Sequence, residues 1–173
     1  MTRIKNILIL TPLLFVSACG YHLRGSLGLP EELKSVYMQG ASHQLQDAFR
    51  KTLRASNGKL VETVDAASLV VQIMEERTDR RVITLSSKGR VNEFELIYSL
   101  YFILRDNQGK QLSKKQKIEI KRDYYNDQGD VLGKNNEEQI IKKEMYLQVT
   151  KSIFHRARVV LEKEKKVIHA PKT

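Results

Sequence analysis

A regular alternation of apolar and polar positions runs through the middle of the chain. Every second residue is apolar or aromatic in the series Phe94, Leu96, Tyr98, Leu100, Phe102 and Leu104. The positions between them start with Glu93 and Glu95 and then become apolar at Ile97, Tyr101 and Ile103. A period of two predicts a β-strand with one face buried throughout and a second face that changes from polar to apolar halfway. From Glu93 to Arg105 it would reach roughly 40 Å, so we expect its polar end to project beyond the helices.

Two segments have helical periodicity instead. Apolar and small residues recur at helical spacing after His43, where Ser42 can cap the first turn and Asn57-Gly58 can end the helix. Near the carboxyl terminus, Asn135 or Asn136 can cap a helix whose first turn holds Glu137 and Glu138. Its apolar ridge consists of Ile141, Met145, Val149, Ile153, Ala157 and Leu161. We expect this helix to fade over residues 162–166.

The remaining apolar runs predict four further strands, which are 34–39, 60–64, 69–85 and 114–125. The polar stretch Glu75–Arg81 contains no Gly or Pro, so we interpret it as a bulge or twist within one long strand. Ser86–Arg90 is the predicted hairpin tip. The order β-α-β-β-β-β-α predicts an α+β fold, a two-layer α/β sandwich with a mixed four- to five-stranded sheet and two amphipathic helices on one face.

The amino terminus has the pattern of an export signal. Arg3 and Lys5 precede an apolar run, Ile7–Val16, which is too short to span a bilayer but has the length of a signal-peptide core. It ends in Val16-Ser17-Ala18-Cys19, and Cys19 is the only cysteine of the chain. This ending resembles the lipobox of bacterial lipoproteins, in which the cysteine is lipidated and becomes the new amino terminus; the alternative is an ordinary signal peptide with a cysteine nearby.

The lipoprotein interpretation divides the chain into four parts. Residues 1–18 are the signal peptide, 19–33 the acylated amino terminus and tether, 34–163 the α/β domain, and 164–173 a disordered tail. Cys19 would carry an S-diacylglycerol and an N-linked acyl chain such as palmitate, which together anchor far more firmly than a single chain. Lipoproteins kept in the inner membrane usually have Asp at the next position; Gly20 therefore favours the periplasmic face of the outer membrane.

Charge and chemistry narrow the function. Loss of Arg3 and Lys5 lowers the net charge from +10 to +8, and in the cell envelope such a surface favours phosphorylated lipids over nucleic acid; excess lysine that only maintains solubility is the alternative. Acylation of Cys19 would leave no thiol for a disulfide.

The four histidines, His22, His43, His155 and His169, are scattered, and there is no nucleophile or phosphate-loop motif. We therefore expect no enzyme activity, no metal site and no cofactor beyond the covalent lipid.

Basic residues concentrate in three places. Arg77, Arg80, Arg81, Lys88 and Arg90 lie on or near the predicted hairpin. Lys114–Lys117 lie on the last strand, where a lysine row is also a defence against edge pairing, the interpretation we prefer there. Lys134 precedes the predicted last helix.

Three segments of the chain resemble the LptE (RlpB) family of lipopolysaccharide-assembly lipoproteins. They are the start Cys19-Gly20-Tyr21-His22-Leu23-Arg24, the Gly89 hairpin followed by Glu93-Phe94, and the segment from Lys134-Asn135-Asn136-Glu137 to Lys143-Glu144-Met145-Tyr146. The element order agrees over nearly the whole mature length.

The resemblance implies a lipid-anchored outer-membrane lipoprotein that forms a plug in the lumen of a β-barrel partner, LptD. There it would assist barrel assembly and bind lipopolysaccharide. In the family, binding involves a basic residue at the hairpin tip and a lysine before the last helix. Lys134 matches the lysine, whereas the tip position falls at Ser87, which Lys88 and Arg90 flank. A stand-alone envelope adaptor, such as a pilotin or a transporter accessory, is the alternative function, and a secreted enzyme is disfavoured.

Overall fold

The computed structural model describes residues 29–126 and 131–168, with side chains in these ranges except at 131–135 and 167–168. A short 3-10 helix, Glu31–Leu33, leads into five strands and two α-helices. The strands are β1 (Ser35–Gln39), β2 (Lys59–Leu60), β3 (Leu69–Leu85), β4 (Val91–Arg105) and β5 (Gln116–Tyr125). The helices are α1 (His43–Ala55) and α2 (Val131–Ile168). This α+β arrangement confirms the predicted fold class.

The sheet is mixed and has the order β2-β1-β3-β4-β5. β1 pairs in parallel with both β2 and β3, while β3, β4 and β5 form an antiparallel meander. β1 contacts β3 only as far as Gln72, so the rest of β3 is an edge strand. This upper part of the sheet, Ile73 to Leu85 with the facing residues of β4 and β5, is the end on which the hairpin tip lies.

The core lies between the sheet and the two helices. The alternating residues of β4 from Leu96 to Leu104 are at most 1% exposed, which confirms the predicted buried face. On α2 the predicted ridge is also buried, at Met145, Val149, Ile153, Ala157 and Leu161. The helices contact each other where the rings of Phe49 and Phe154 stack at 4.6 Å. Each such buried side chain stabilises the fold by about 1.5–3 kcal/mol.

The ends of α1 follow from its sequence. The Ser42 hydroxyl oxygen accepts a hydrogen bond from the Leu45 amide at 3.3 Å, as an N-cap does. Asn57 has a φ of 60°, and Gly58 donates its amide to the Leu53 carbonyl, which closes the helix as predicted.

Several boundaries differ from the prediction. β2 has only two residues, whereas residues 60–64 were expected to form a strand. Leu33, expected in the tether, is 1% exposed and belongs to the core. α2 starts at Val131, before the predicted caps Asn135 and Asn136, so Lys134 lies within the helix. It also continues to Ile168, through residues assigned to a disordered tail.

The register of β3 with β4 shifts on both sides of the predicted polar stretch, after Ile73 and again after Val82. The register with β4 shifts between Ile73 and Glu75, which leaves Met74 unpaired and 53% exposed. Beyond it, Glu76 faces Leu100, whose side chain is buried. Because cross-strand neighbours share a face, the shift turns Glu76 and the alternate residues after it toward the helices.

In the described part of the chain, neither helix has a stretch long and apolar enough to cross a bilayer.

Candidate functional site

The hairpin tip presents two basic side chains at the far end of the sheet. Ser86 donates its amide to the Arg90 carbonyl at 2.7 Å, and its hydroxyl oxygen accepts from the Arg90 amide at 3.1 Å. Gly89 has a φ of 72°, a conformation that favours glycine. Lys88 and Arg90 are both exposed. The tip is therefore a closed turn with two exposed basic residues.

A charged network joins the hairpin to α2 just below the tip. Glu138 accepts hydrogen bonds from the Tyr124 hydroxyl at 2.6 Å and from Arg80 at 3.2 Å. One turn along the helix, Lys142 forms an ion pair with the same carboxylate at 2.6 Å. The Glu138 side chain is only 15% exposed. The network therefore links β3, β5 and α2 through one nearly buried group.

The environment of Glu138 favours its charged form. Burial of the carboxyl raises its pKa, but the hydrogen bonds and positive charges of Lys142, Tyr124 and Arg80 outweigh this effect and lower the pKa from 4.5 to about 2. Burial and the hydrogen bond to Glu138 raise the pKa of the Tyr124 hydroxyl. The network is therefore ionised and intact at neutral pH.

Aromatic rings hold the arginine of this network in place. The Arg80 guanidinium lies 4.6 Å from the centre of the Phe94 ring, a cation–π contact. Phe94 in turn stacks on Tyr124 at 5.6 Å. These contacts fix the side chain of an edge-strand arginine that would otherwise move freely in solvent.

A second carboxylate ties β3 to the start of α1. Glu76 accepts hydrogen bonds from the Ser42 amide at 2.9 Å, from the Ser42 hydroxyl at 2.6 Å and from the Tyr98 hydroxyl at 2.8 Å. Burial and the nearby carboxylate raise the pKa of Tyr98. The two adjacent glutamates therefore differ: Glu75 is exposed beside Arg77, whereas Glu76 is half-buried and bonded to α1 and β4.

On the sheet face away from the helices, the upper end combines polar and apolar groups. Arg81 forms an ion pair with Glu95 at 2.6 Å, and Glu95 is 8% exposed. Ile97 and Tyr101 are half-buried on the same strand, and Lys115 lies 4.4 Å above the Tyr101 ring. Along both faces of the edge strand β3, the apolar side chains that are at least 43% exposed are Met74, Val82, Ile83 and Leu85; Val82 is paired with Phe94 and lies on the helix side. Three of them, Val82, Ile83 and Leu85, lie close together next to the hairpin tip.

The structure brings the predicted site residues together only in part. Cys19 lies outside the described residues. Lys88 and Arg90 share the tip, and the backbone of Lys134 lies one helical turn before Glu138, at the same end of the molecule. β5 is the edge strand of the sheet, as predicted, but it starts at Gln116, so Lys117 lies on it while Lys114 and Lys115 precede it.

Sequence reasoning missed the role of Glu138. We had assigned it to the first turn of a helix, where it would match the helix dipole, but the helix starts at Val131. Its partner Arg80 had been counted among the basic residues of the hairpin. The spacing of Glu138 and Lys142, four residues apart on one helix face, could have indicated the ion pair.

Within residues 29–126 and 131–168, no group of three or more His, Cys, Asp or Glu side chains could hold a metal ion.

Comparison with known proteins identifies the family. The family model described as lipopolysaccharide-assembly, LptE, matches residues 33–157, well over half of the chain. The chain belongs to the LptE family. LptE-family proteins are lipoproteins of lipopolysaccharide assembly, so the expected family, and lipopolysaccharide assembly as the general role, are confirmed.

Relatives and solved structures agree with this assignment. The LPS-assembly lipoprotein LptE of Photorhabdus laumondii is 23% identical over 94% of this chain and 90% of its own length. The protein of the same name from Pectobacterium atrosepticum is 20% identical over 89% of this chain and 84% of its own.

Among solved structures, lipoprotein B of Nitrosomonas europaea is 25% identical, with a TM-score of 0.66, and the match covers 87% of this chain and 97% of that one. Rare lipoprotein B of Shewanella oneidensis is 27% identical, with a TM-score of 0.59, over 78% and 99%. The LptE-family fold therefore extends over most of this chain.

Proposed function

We propose that this LptE-family protein is the lipid-anchored outer-membrane subunit of the lipopolysaccharide translocon. It is anchored through acyl chains on Cys19, forms a plug inside the LptD β-barrel, assists assembly of that barrel, and binds lipopolysaccharide through Lys88, Arg90 and Lys134. Family membership supports this role. The basic residues at the hairpin end support the proposal that lipopolysaccharide binds at that end.

The proposal depends on the basic residues at the hairpin end of the molecule. The tip Ser86–Arg90 contains two cations and no acidic residue. The network around Glu138 joins α2, the helix that contains Lys134, to β3 and β5 of the same hairpin. Lipids with several phosphates offer multivalent anionic contacts, which lysine meets as a point charge and arginine with two parallel hydrogen bonds. Two separate chain segments can thus contact one anionic headgroup.

The exposed apolar residues of β3 support a protein partner around the same end. Monomeric proteins rarely expose several large apolar side chains together, and Met74, Val82, Ile83 and Leu85 are exposed along one strand. A barrel wall that surrounds the hairpin would cover them, with the charged residues of β3 between them meeting polar groups of the lumen.

Lipopolysaccharide binding is tested by charge reversal. The triple variant K88E/R90E/K134E should bind lipopolysaccharide at least about tenfold more weakly at low salt, since several exposed charge contacts each contribute up to a few-fold. The matched control K59E/K151E/K163E changes net charge equally at exposed lysines elsewhere. Unchanged binding by the triple variant, with circular dichroism showing that it is folded, would contradict the assignment.

The partner and the anchor are tested by purification of the full chain from detergent-solubilised outer membrane. A stoichiometric large β-barrel protein in the eluate supports the plug. Recovery without any barrel protein would favour the adaptor function instead. Mass spectrometry of the same sample should find a mature amino terminus at Cys19 that carries acyl chains; an unlipidated terminus would overturn the anchoring.

A further inference from the structure

A cleft of about 520 Å³ lies between α1 and the first half of α2, separate from the hairpin tip. Its apolar lining comes from Ala48 on α1 and from Tyr146 and Leu147 on α2. Leu147 is 39% exposed, although it is a large apolar side chain. The cleft therefore offers an accessible apolar surface between two helices.

Lysines dominate the charge at this cleft. Lys51, Lys142 and Lys143 line it, and Asp47 is the acidic residue among its lining groups. Asp47 already forms an ion pair with Arg50 at 2.7 Å, and Lys142 is paired with Glu138.

Lys51 and Lys143 are exposed, and neither forms an ion pair with any residue that the structure describes. Lys51 lies on α1 and Lys143 on α2, so the cleft has an exposed lysine without an ion-pair partner on each of its two helices. Concave walls of low dielectric strengthen the field of such charges and concentrate anions.

We propose that this cleft binds a phosphate group of an amphiphilic lipid, with Lys51 and Lys143 contacting the phosphate and Ala48 and Leu147 contacting the adjoining hydrocarbon. The inference rests on the proposed function, because it assigns a second contact to the same class of lipid. Along α2 the cleft follows directly after Glu138, and the backbone of Lys134 lies about 12 Å before that of Lys142. The cleft and Lys134 thus lie on the same half of α2, and none of the proposed contacts of the cleft lies at the tip.

The test compares two double variants of the full chain in non-ionic detergent. K51E/K143E changes the cleft, and K59E/K163E is the control with the same change of charge at exposed lysines elsewhere. The probes are lipopolysaccharide, the same lipopolysaccharide after enzymatic removal of its lipid phosphates, and inorganic pyrophosphate. We expect the cleft variant to bind phosphorylated lipopolysaccharide about tenfold more weakly than the control, and the two variants to bind the dephosphorylated form equally.

A measurement on the unmodified protein gives an independent result. Acylation of lysine amines, followed by mass spectrometry, should show that lipopolysaccharide protects Lys51 and Lys143 at least several-fold, while Lys59 and Lys163 react at unchanged rates. Equal reactivity with and without lipid would overturn the site even if the cleft variant failed to fold. Protection by pyrophosphate at the same concentration would show that the cleft binds soluble phosphate and would overturn the assignment of a lipid ligand.

The outcome also separates this inference from the proposed function. If K88E/R90E/K134E loses binding while K51E/K143E does not, the tip is the lipid site and the cleft is not. If the cleft variant alone loses binding, the cleft inference stands and the tip assignment fails. If neither loses binding, both are wrong.

Discussion

Replacement of Glu138 by glutamine should destabilise the fold more than the same kind of replacement at any other charged residue on α2 whose side chain the structure describes. The carboxylate meets Lys142, Tyr124 and Arg80, and the pKa is lowered from 4.5 to about 2. At about 1.4 kcal/mol per pH unit, this corresponds to at most about 3–4 kcal/mol of unfolding free energy at neutral pH. Because Arg80 is half exposed and solvent screens its charge, we expect E138Q to cost about 2 kcal/mol.

The pH dependence of that loss follows from the direction of the shift. A lowered pKa contributes stability that is fully present above the unfolded value near 4.5 and is lost as the pH falls through the folded value near 2. The difference in unfolding free energy between wild type and E138Q should therefore be constant from pH 7 to about pH 5. It should shrink between about pH 4.5 and pH 2. Urea unfolding followed by circular dichroism at several pH values measures both quantities.

The control is E144Q, which removes an exposed glutamate of the same helix that forms no ion pair within the described residues. It should change the free energy of unfolding by less than about 0.5 kcal/mol. If E138Q and E144Q were equally stable, or if the difference between wild type and E138Q did not change down to pH 2, the network would not stabilise the hairpin end as described.

Three further changes test the packing, each by urea unfolding. Gly40 has a φ of 76°, and a Cβ there would lie 2.9 Å from a backbone carbonyl oxygen, so G40A should cost more than about 2 kcal/mol. Gly109 has a φ of 86° but open space around it, so G109A should cost about 1 kcal/mol. Equal losses would contradict the close approach at Gly40. E76Q replaces one carboxylate oxygen by an amide nitrogen opposite the donors of Ser42 and Tyr98 and should cost about 2 kcal/mol. An unchanged stability would mean that the cap of α1 does not depend on the Glu76 carboxylate. F49A removes a fully buried ring that stacks on Phe154 and should cost about 3–5 kcal/mol, far more than F154A, whose ring is only half-buried.

The sequence predicted those parts of the fold that depend on periodicity. The alternation of β4 and the ridge of α2 each repeat over many residues, so an error at one position does not change the assignment. The cap at Ser42 and the stop at Asn57-Gly58 were also predictable, because local hydrogen bonds and a positive φ select those residue types. The length of β2 was overestimated, because it depends on pairing with β1 and not on the residues of β2 alone.

The candidate site was less predictable because it depends on register. The polar stretch of β3 indicated a bulge, but nothing in it identifies Met74 as the residue left unpaired. A shift of one residue moves a whole run of side chains to the opposite face. That shift is what turns Arg80 toward α2 and Glu138. The early start of α2 was hidden for a similar reason, because Asn135 and Asn136 are good caps whose sequence gives no sign that the helix already exists before them.

The charges at the hairpin end divide into two groups with different physical roles. Asp79 and Asp123 are exposed, but four other carboxylates of this end are held by partners: Glu76 by a helix cap, Glu93 by Thr84, Glu95 by Arg81 and Glu138 by its network. Each is partly or largely shielded, so its pairing is weakly screened by salt. The tip, which has no acidic residue, leaves its positive field directed into solvent, where screening is strong. Salt should therefore weaken binding of an anionic lipid at the tip long before it loosens the base of the hairpin, and loss of binding with retained stability is the expected behaviour of a rigid support that carries an exposed cationic contact.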